Sequence, residues 1–421
     1  MTMRSAPVSL KQPRGILPLL GRWRGYAARM GPAWVIAADA SGPATLASLC
    51  IAGATYSYRM LWVVLLSVLL GASTQYLAAR IGILEGRGII ATVRDRLGPA
   101  FGWVVAVDAL LATWLAALVL MNTLGGITSL VTGLSTPAWG ALYAVFLAAF
   151  LIRGGYRWFE RLCKVLVLCI LTAFALTLGM AGVSWSGIAS GLVPSLPGGA
   201  ESALMMAAIM GGAVHVTIIG MHTYTTNQRR WGRKDLGLAF FDNALSMGLA
   251  FGLYSVIIFL VAASVLHPNQ VSVATATDAA LSLEPLLGRN AMHLFILGLW
   301  GAAFTTLSPT ILAGVYFFAD ALGWPLDTGD PRMKRAIVAG CALAAFGPLL
   351  KGGFFLLLPL MLAVGLCGTP LVIAVILYLL NRREVTGDDR TPALLNLLGA
   401  ASLGVTSFLA LRFVLVRLLG A

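Results

Sequence analysis

The chain has 421 residues, 59% of them hydrophobic and 11% charged, with a mean hydropathy of +0.89. A soluble domain carries about 25% charged residues, so a soluble globular protein is excluded. The formal net charge of +13 lies in alternate loops rather than in one patch, which argues against a nucleic-acid partner and for the positive-inside rule.

Residues 1–30 are polar and basic, with Arg4, Lys11, Arg14, Arg22, Arg24 and Arg29, and lack the apolar core of a cleaved signal. They read as a cytoplasmic tail. Eleven apolar stretches follow, near 31–56, 58–82, 101–128, 137–153, 158–183, 202–226, 234–265, 289–322, 333–350, 353–380 and 391–418. Each is long enough to cross a bilayer, which takes roughly 20 residues. The predicted fold class is an all-α integral membrane protein occupying 1–421 as a single domain.

The first span is interrupted at Ser41-Gly42-Pro43-Ala44-Thr45, and the sixth, between Ser202 and Tyr224, at Gly211-Gly212-Ala213-Val214-His215-Val216-Thr217. Unwound backbone inside a membrane survives only where protein or a water-filled cavity satisfies it. Interrupted spans at matching positions in two halves point to a secondary transporter's substrate site. The halves are 31–183 and 201–381, each five spans that open on a broken helix. Five is odd, so the second half enters from the other side and is inverted; 391–419 is an extra helix. Arg and Lys follow spans 2, 4, 6, 8 and 10, which puts the N-terminus in the cytoplasm and the C-terminus outside a bacterial-type inner membrane. A short surface helix is expected near 278–287. The five cysteines, Cys50, Cys163, Cys169, Cys341 and Cys367, have no metal-binding spacing.

Further motifs carry a resemblance. Gly31-Pro32-Ala33-Trp34, Gly53-Ala54-Thr55-Tyr56 with Leu61-Trp62-Val63, and the run from Gly191 to Gly199 resemble the Nramp family of metal transporters. So do Leu283-Glu284-Pro285-Leu286-Leu287-Gly288 and Asn381-Arg382-Arg383-Glu384. The resemblance implies a LeuT-like fold, with broken helices 1 and 6, and alternating access. It also implies where ligands belong, and these differ here. The family's Asp-Pro-Gly-Asn falls on Gly42-Pro43-Ala44-Thr45, its Met-Pro-His on His215-Val216-Thr217, and its tenth-helix glutamine near Gly368. A second family histidine survives as His222, while the acidic residues of its third helix fall on Leu110 and Thr113.

With carboxylate and thioether both gone from those positions, the expected cargo is a small anion, bicarbonate first and a short carboxylate second. The half-helix N-termini at Ala44-Thr45 and Val216-Thr217 would supply N–H groups and about half a positive charge each. Thr45, Thr217 and His215 would add donors, and Gly42 and Gly368 would border the site. Asp39, one turn before Gly42, is the leading candidate to carry the coupling proton or sodium, followed by Asp108 and His222. Thr305, Thr306 and Ser308, before Pro309, would line the cavity or bond their own helix. The alternative cargo is a divalent cation (manganese, iron or magnesium) driven by protons; residue 42 is the discriminator, and a glycine there speaks against a metal unless Asp39 points into the site. A transport-dead sensor is a third, weaker reading. No resident metal, cofactor or catalytic constellation is expected, and no nucleotide-binding G-x-x-x-x-G-K-[ST] occurs. The lipid bilayer is the expected surrounding partner, and no oligomer is required.

Overall fold

A computed structural model describes residues 25–26, 29–153, 165, 172–284, 288 and 291–419, and contains no strand among them. The tail before residue 25, most of the fifth predicted span before 172 (with Arg157, Arg161, Cys163 and Cys169) and Pro285, Leu286 and Leu287 lie outside the described residues.

The first span is two helices, α1 (Pro32–Ala40) and α2 (Pro43–Tyr56), each opened by a proline. Proline suits a first helical position because its missing N–H would have no partner there. Pro43 also ends α1, since the residue before a proline is pushed out of helical geometry; Gly42 is extended, at φ −69° and ψ −179°. Next come α3 (Leu61–Glu85), a short amphipathic α4 (Ile89–Leu97), α5 (Pro99–Thr132) and α6 (Thr136–Ile152).

The sixth span is again two helices, α7 (Ala200–Val214) and α8 (Val216–Gln228). Its break is narrower than expected. Gly211 to Val214 remain helical and His215 alone is extended. α9 (Arg233–Leu266) contains π-helical turns at Ala244–Ala250 and Ala262–Leu266. Where a surface helix was expected, an α-helical turn Ala276–Ala280 runs on into a 3-10 turn Leu281–Leu283; it starts at Ala276 because the Thr275 hydroxyl accepts from the Asp278 N–H and caps it, and 285–287 lie outside the described residues. Then follow α10 (Ala291–Ala321), α11 (Pro331–Ala344), α12 (Phe354–Leu380) and α13 (Ala393–Leu419).

Described helices fall within every predicted span, the fifth only over 172–180. Seven stretches of the described residues are long and apolar enough to cross a membrane, Pro43–Glu85 counting as one. Their burial sorts them. The apolar window of Ala200–Gln228 is 94% buried, that of the last helix 28%, so the broken sixth span is central and α13 peripheral. α5 and α10 form the most extensive helix pair, and α12 packs on α7 and α5. The far end of α1 is fastened to α9: the Gly31 and Ala33 N–H groups donate to the Asp242 carboxylate at 3.2 and 2.9 Å. Arg29 pairs with Asp235 at 2.8 Å beside them.

Candidate functional site

A cavity lies between the two breaks. Asp39, Gly42, Ala44 and Thr45 line it from the first, His215 and Thr217 from the second. Thr306 and Thr310 of α10, Met361 of α12 and the apolar Ala116 and Leu120 of α5 add to the wall. The cavity offers about 30 Å³ to the centre of a water molecule. One water needs about 10–15 Å³ by that measure, so the space suits an ion with one or two waters.

The donors expected to hold an anion are largely engaged. Thr45 donates its hydroxyl to the Ala40 carbonyl at 2.5 Å and ties α2 back to α1. The His215 Nδ1 accepts from the Thr217 N–H at 3.2 Å, so the imidazole caps α8. A backbone N–H only donates, hence Nδ1 is unprotonated and the neutral ring carries its proton on Nε2. Thr113 donates to the Ala109 carbonyl at 2.6 Å and shares a 2.9 Å bond with Thr217, so the Thr217 hydroxyl is spent on Thr113.

His215 therefore caps α8 through Nδ1 while it lines the cavity expected from its position. Its Nε2, without a hydrogen-bond partner among the described residues, lies against Gly365 of α12. A Cβ at residue 365 would overlap the imidazole. Gly365→Ala is expected to destabilise the protein by about 1–3 kcal/mol, the usual cost of overpacking. Thermal unfolding in detergent measures it, and an unchanged midpoint would refute this packing.

The acceptor side of the cavity is open. Asp39 is 8% exposed, and its Oδ1 has no hydrogen-bond partner among the described residues. The same holds for the Thr306 Oγ1. Thr306 packs on Gly42, where a Cβ would stand 2.5 Å from the Thr306 Oγ1 and 2.9 Å from the Asp39 backbone carbonyl oxygen. Thr310, which donates to the Thr306 carbonyl at 2.7 Å, lies beside the Asp39 carboxyl. Of the other α10 hydroxyls, Thr305 bonds the Gly301 carbonyl and Ser308 the Phe304 carbonyl of their own helix.

Some expected residues fall elsewhere. Val216 and Gly368 do not line the cavity. Gly368 is packed against the Asp108 carboxylate, one turn of α12 beyond the face that meets His215. Asp108 is half-buried on α5, and its Oδ2 has no partner among the described residues. His222 pairs its Nδ1 with the Gln75 Oε1 at 3.2 Å, a contact between α8 and α3 away from the cavity wall. Thr310 and Met361 were not foreseen. Nothing in the sequence marks Met361, because its place depends on how α12 crosses α7. Among the described residues, no group of three or more His, Cys, Asp and Glu side chains is placed to hold a metal ion.

Two broken helices crossing at a buried cavity inside a helical bundle define a multi-pass membrane transporter of the LeuT-like fold. The fold is matched by a manganese transporter of Eremococcus coleocola, at TM-score 0.75 and 17% identity, covering 96% of this chain and 88% of that one. Mhp1, a nucleobase-cation-symport-1 family transporter, matches at TM-score 0.59 and 19% identity, covering 92% and 93%. The family profile described as natural resistance-associated macrophage protein-like (Nramp) matches residues 33–416, and the chain belongs to that family. Similar curated proteins include a divalent metal cation transporter, MntH, of Klebsiella pneumoniae, 29% identical over 298 residues, 68% of this chain and 70% of the relative. MntH of Chromohalobacter salexigens is 28% identical over 397 residues, 87% of this chain and 88% of the relative.

Proposed function

We propose that this Nramp-family secondary transporter carries a divalent metal cation by alternating access, coupled to protons. The observation that carries the reading is Asp39, a buried carboxylate on the cavity wall with an unpaired oxygen. An anion in the same space would face that carboxylate and would find the Thr45 and Thr217 hydroxyls already bonded, with the His215 Nε2–H as the one side-chain donor of the three left open. A cation would find the carboxylate and an open hydroxyl oxygen. The relatives named as divalent metal cation transporters support the same choice. The small-anion expectation, bicarbonate or a short carboxylate, accordingly gives way to its alternative.

The proposed topology keeps the N-terminus in the cytoplasm and the C-terminus outside, in a bacterial-type inner membrane. It keeps 31–183 and 201–381 as inverted repeats and 391–419 as the added helix. The test is flux into proteoliposomes with labelled manganese under an inward proton gradient. Saturable manganese uptake that bicarbonate does not inhibit is expected. Bicarbonate uptake with no flux of manganese, iron(II) or magnesium would overturn the reading.

Coupling is assigned to Asp108, which lies outside the cavity wall and holds an unpaired carboxylate oxygen against Gly368. Asp108→Asn is expected to bind manganese normally and to move it downhill, while losing most of its proton-driven accumulation. Accumulation equal to the parent's would remove Asp108 from the coupling route.

A further inference from the structure

The cavity wall contains a donor that its sequence neighbours do not announce. Met361 lies one helical turn before Gly365, on the face of α12 that receives the His215 imidazole. It is 4% exposed and lines the same cavity as Asp39 and Thr306. Three chemically different groups thus border one ion-sized space. They are a carboxylate from α1, a hydroxyl from α10 and a thioether from α12. The carboxylate and hydroxyl each keep an oxygen with no partner among the described residues. His215 is withdrawn from the set by its cap bond.

We propose that the cargo metal is held by this displaced set: the Asp39 carboxylate, the Thr306 hydroxyl and the Met361 thioether. The inference rests on the divalent-cation reading and adds its ligands and its selectivity. A carboxylate with one hydroxyl would serve magnesium, calcium and manganese alike. A thioether is a soft ligand and magnesium gains nothing from it, whereas softer divalent ions do. The tenth span, through Met361, therefore sets the preference for transition metals over magnesium.

The test uses the purified full-length chain with cadmium, manganese and magnesium as separate probes, by titration calorimetry and by uptake. Met361→Leu nearly conserves volume and removes the sulfur. It should weaken cadmium at least tenfold and manganese severalfold, and leave magnesium unchanged. Thr306→Val should weaken all three by a similar severalfold factor. X-ray absorption at the cadmium edge gives a readout independent of stability. A sulfur neighbour is expected in the parent and absent from the Met361→Leu variant. Cadmium binding by the parent with no sulfur neighbour would overturn this ligand set and leave the divalent reading standing. So would an unchanged cadmium-to-magnesium ratio in Met361→Leu. A parent that neither binds nor moves any of the three ions would defeat the divalent reading itself, and this ligand set with it.

Discussion

Asp39→Asn is expected to lower the apparent affinity for manganese by about ten- to a hundredfold. The substitution keeps the shape of the side chain and removes the one carboxylate that lines the cavity among the described residues. Interactions with a charged group are worth about 1.5–3 kcal/mol. At 1.4 kcal/mol per decade that range corresponds to the stated loss. Uptake kinetics in proteoliposomes measure it, with thermal unfolding as the control for folding. Parental affinity in a folded Asp39→Asn protein would place the cargo elsewhere. Although asparagine offers an amide N–H₂ donor, this variant should gain no anion transport; a cavity that selects anions would instead improve when the negative charge is removed.

Gly42→Asp is expected to damage the protein rather than to restore a metal site. Any side chain at residue 42 starts 2.5 Å from the Thr306 Oγ1, and the Asp39 carbonyl oxygen stands at 2.9 Å on another side. Real Cβ atoms do not approach so closely, so α1 and α10 must separate. Overpacking of this kind costs about 1–3 kcal/mol, and the separation would also open the gap between Asp39 and Thr306. Manganese uptake should fall at least tenfold and the unfolding temperature should drop. Adding Thr306→Ala should recover part of the stability, since it removes the nearest side-chain atoms, but not the uptake, since it removes a ligand. A Gly42→Asp variant that is as stable and as active as the parent would refute both the contact and the role assigned to Thr306.

The helix breaks were legible in the sequence because they are local. Gly42-Pro43 ends one helix and starts another by backbone chemistry alone. The second break was legible only in position. The glycines before it suggested a wide unwinding, yet Gly211 and Gly212 stay helical, and a Cβ at 212 would stand 2.6 Å from the Thr45 Oγ1. Their smallness serves close packing of the two broken spans, not flexibility. The ligands were harder, since which face of α1 carries Asp39 depends on three helices at once. Reading Gly368 as a site residue assumed that α12 meets the cavity at the family position. Here α12 meets it at Met361 and Leu362, and Gly368 instead makes room for Asp108. His215 fell where expected, but its role turned on a hydrogen bond to the residue two positions on, which spacing alone does not reveal.

The attachment of α1 at Gly31 and Ala33 bears on how the transporter turns over. A nine-residue helix is about 13 Å long at roughly 1.5 Å per residue, too short to bend. It is joined to α2 by a two-residue hinge and moored to Asp242 by two N–H bonds at its other end. Such a piece swings as a stiff rod about the hinge or stays still, and partial motion would stretch both moorings without releasing either. Asp242, outside the cavity, thus holds the end of this half-helix that lies opposite the hinge. The residues that hold the far end of this rod and the residues that line the cavity are therefore separate sets, so the mooring can be altered without touching the cavity wall.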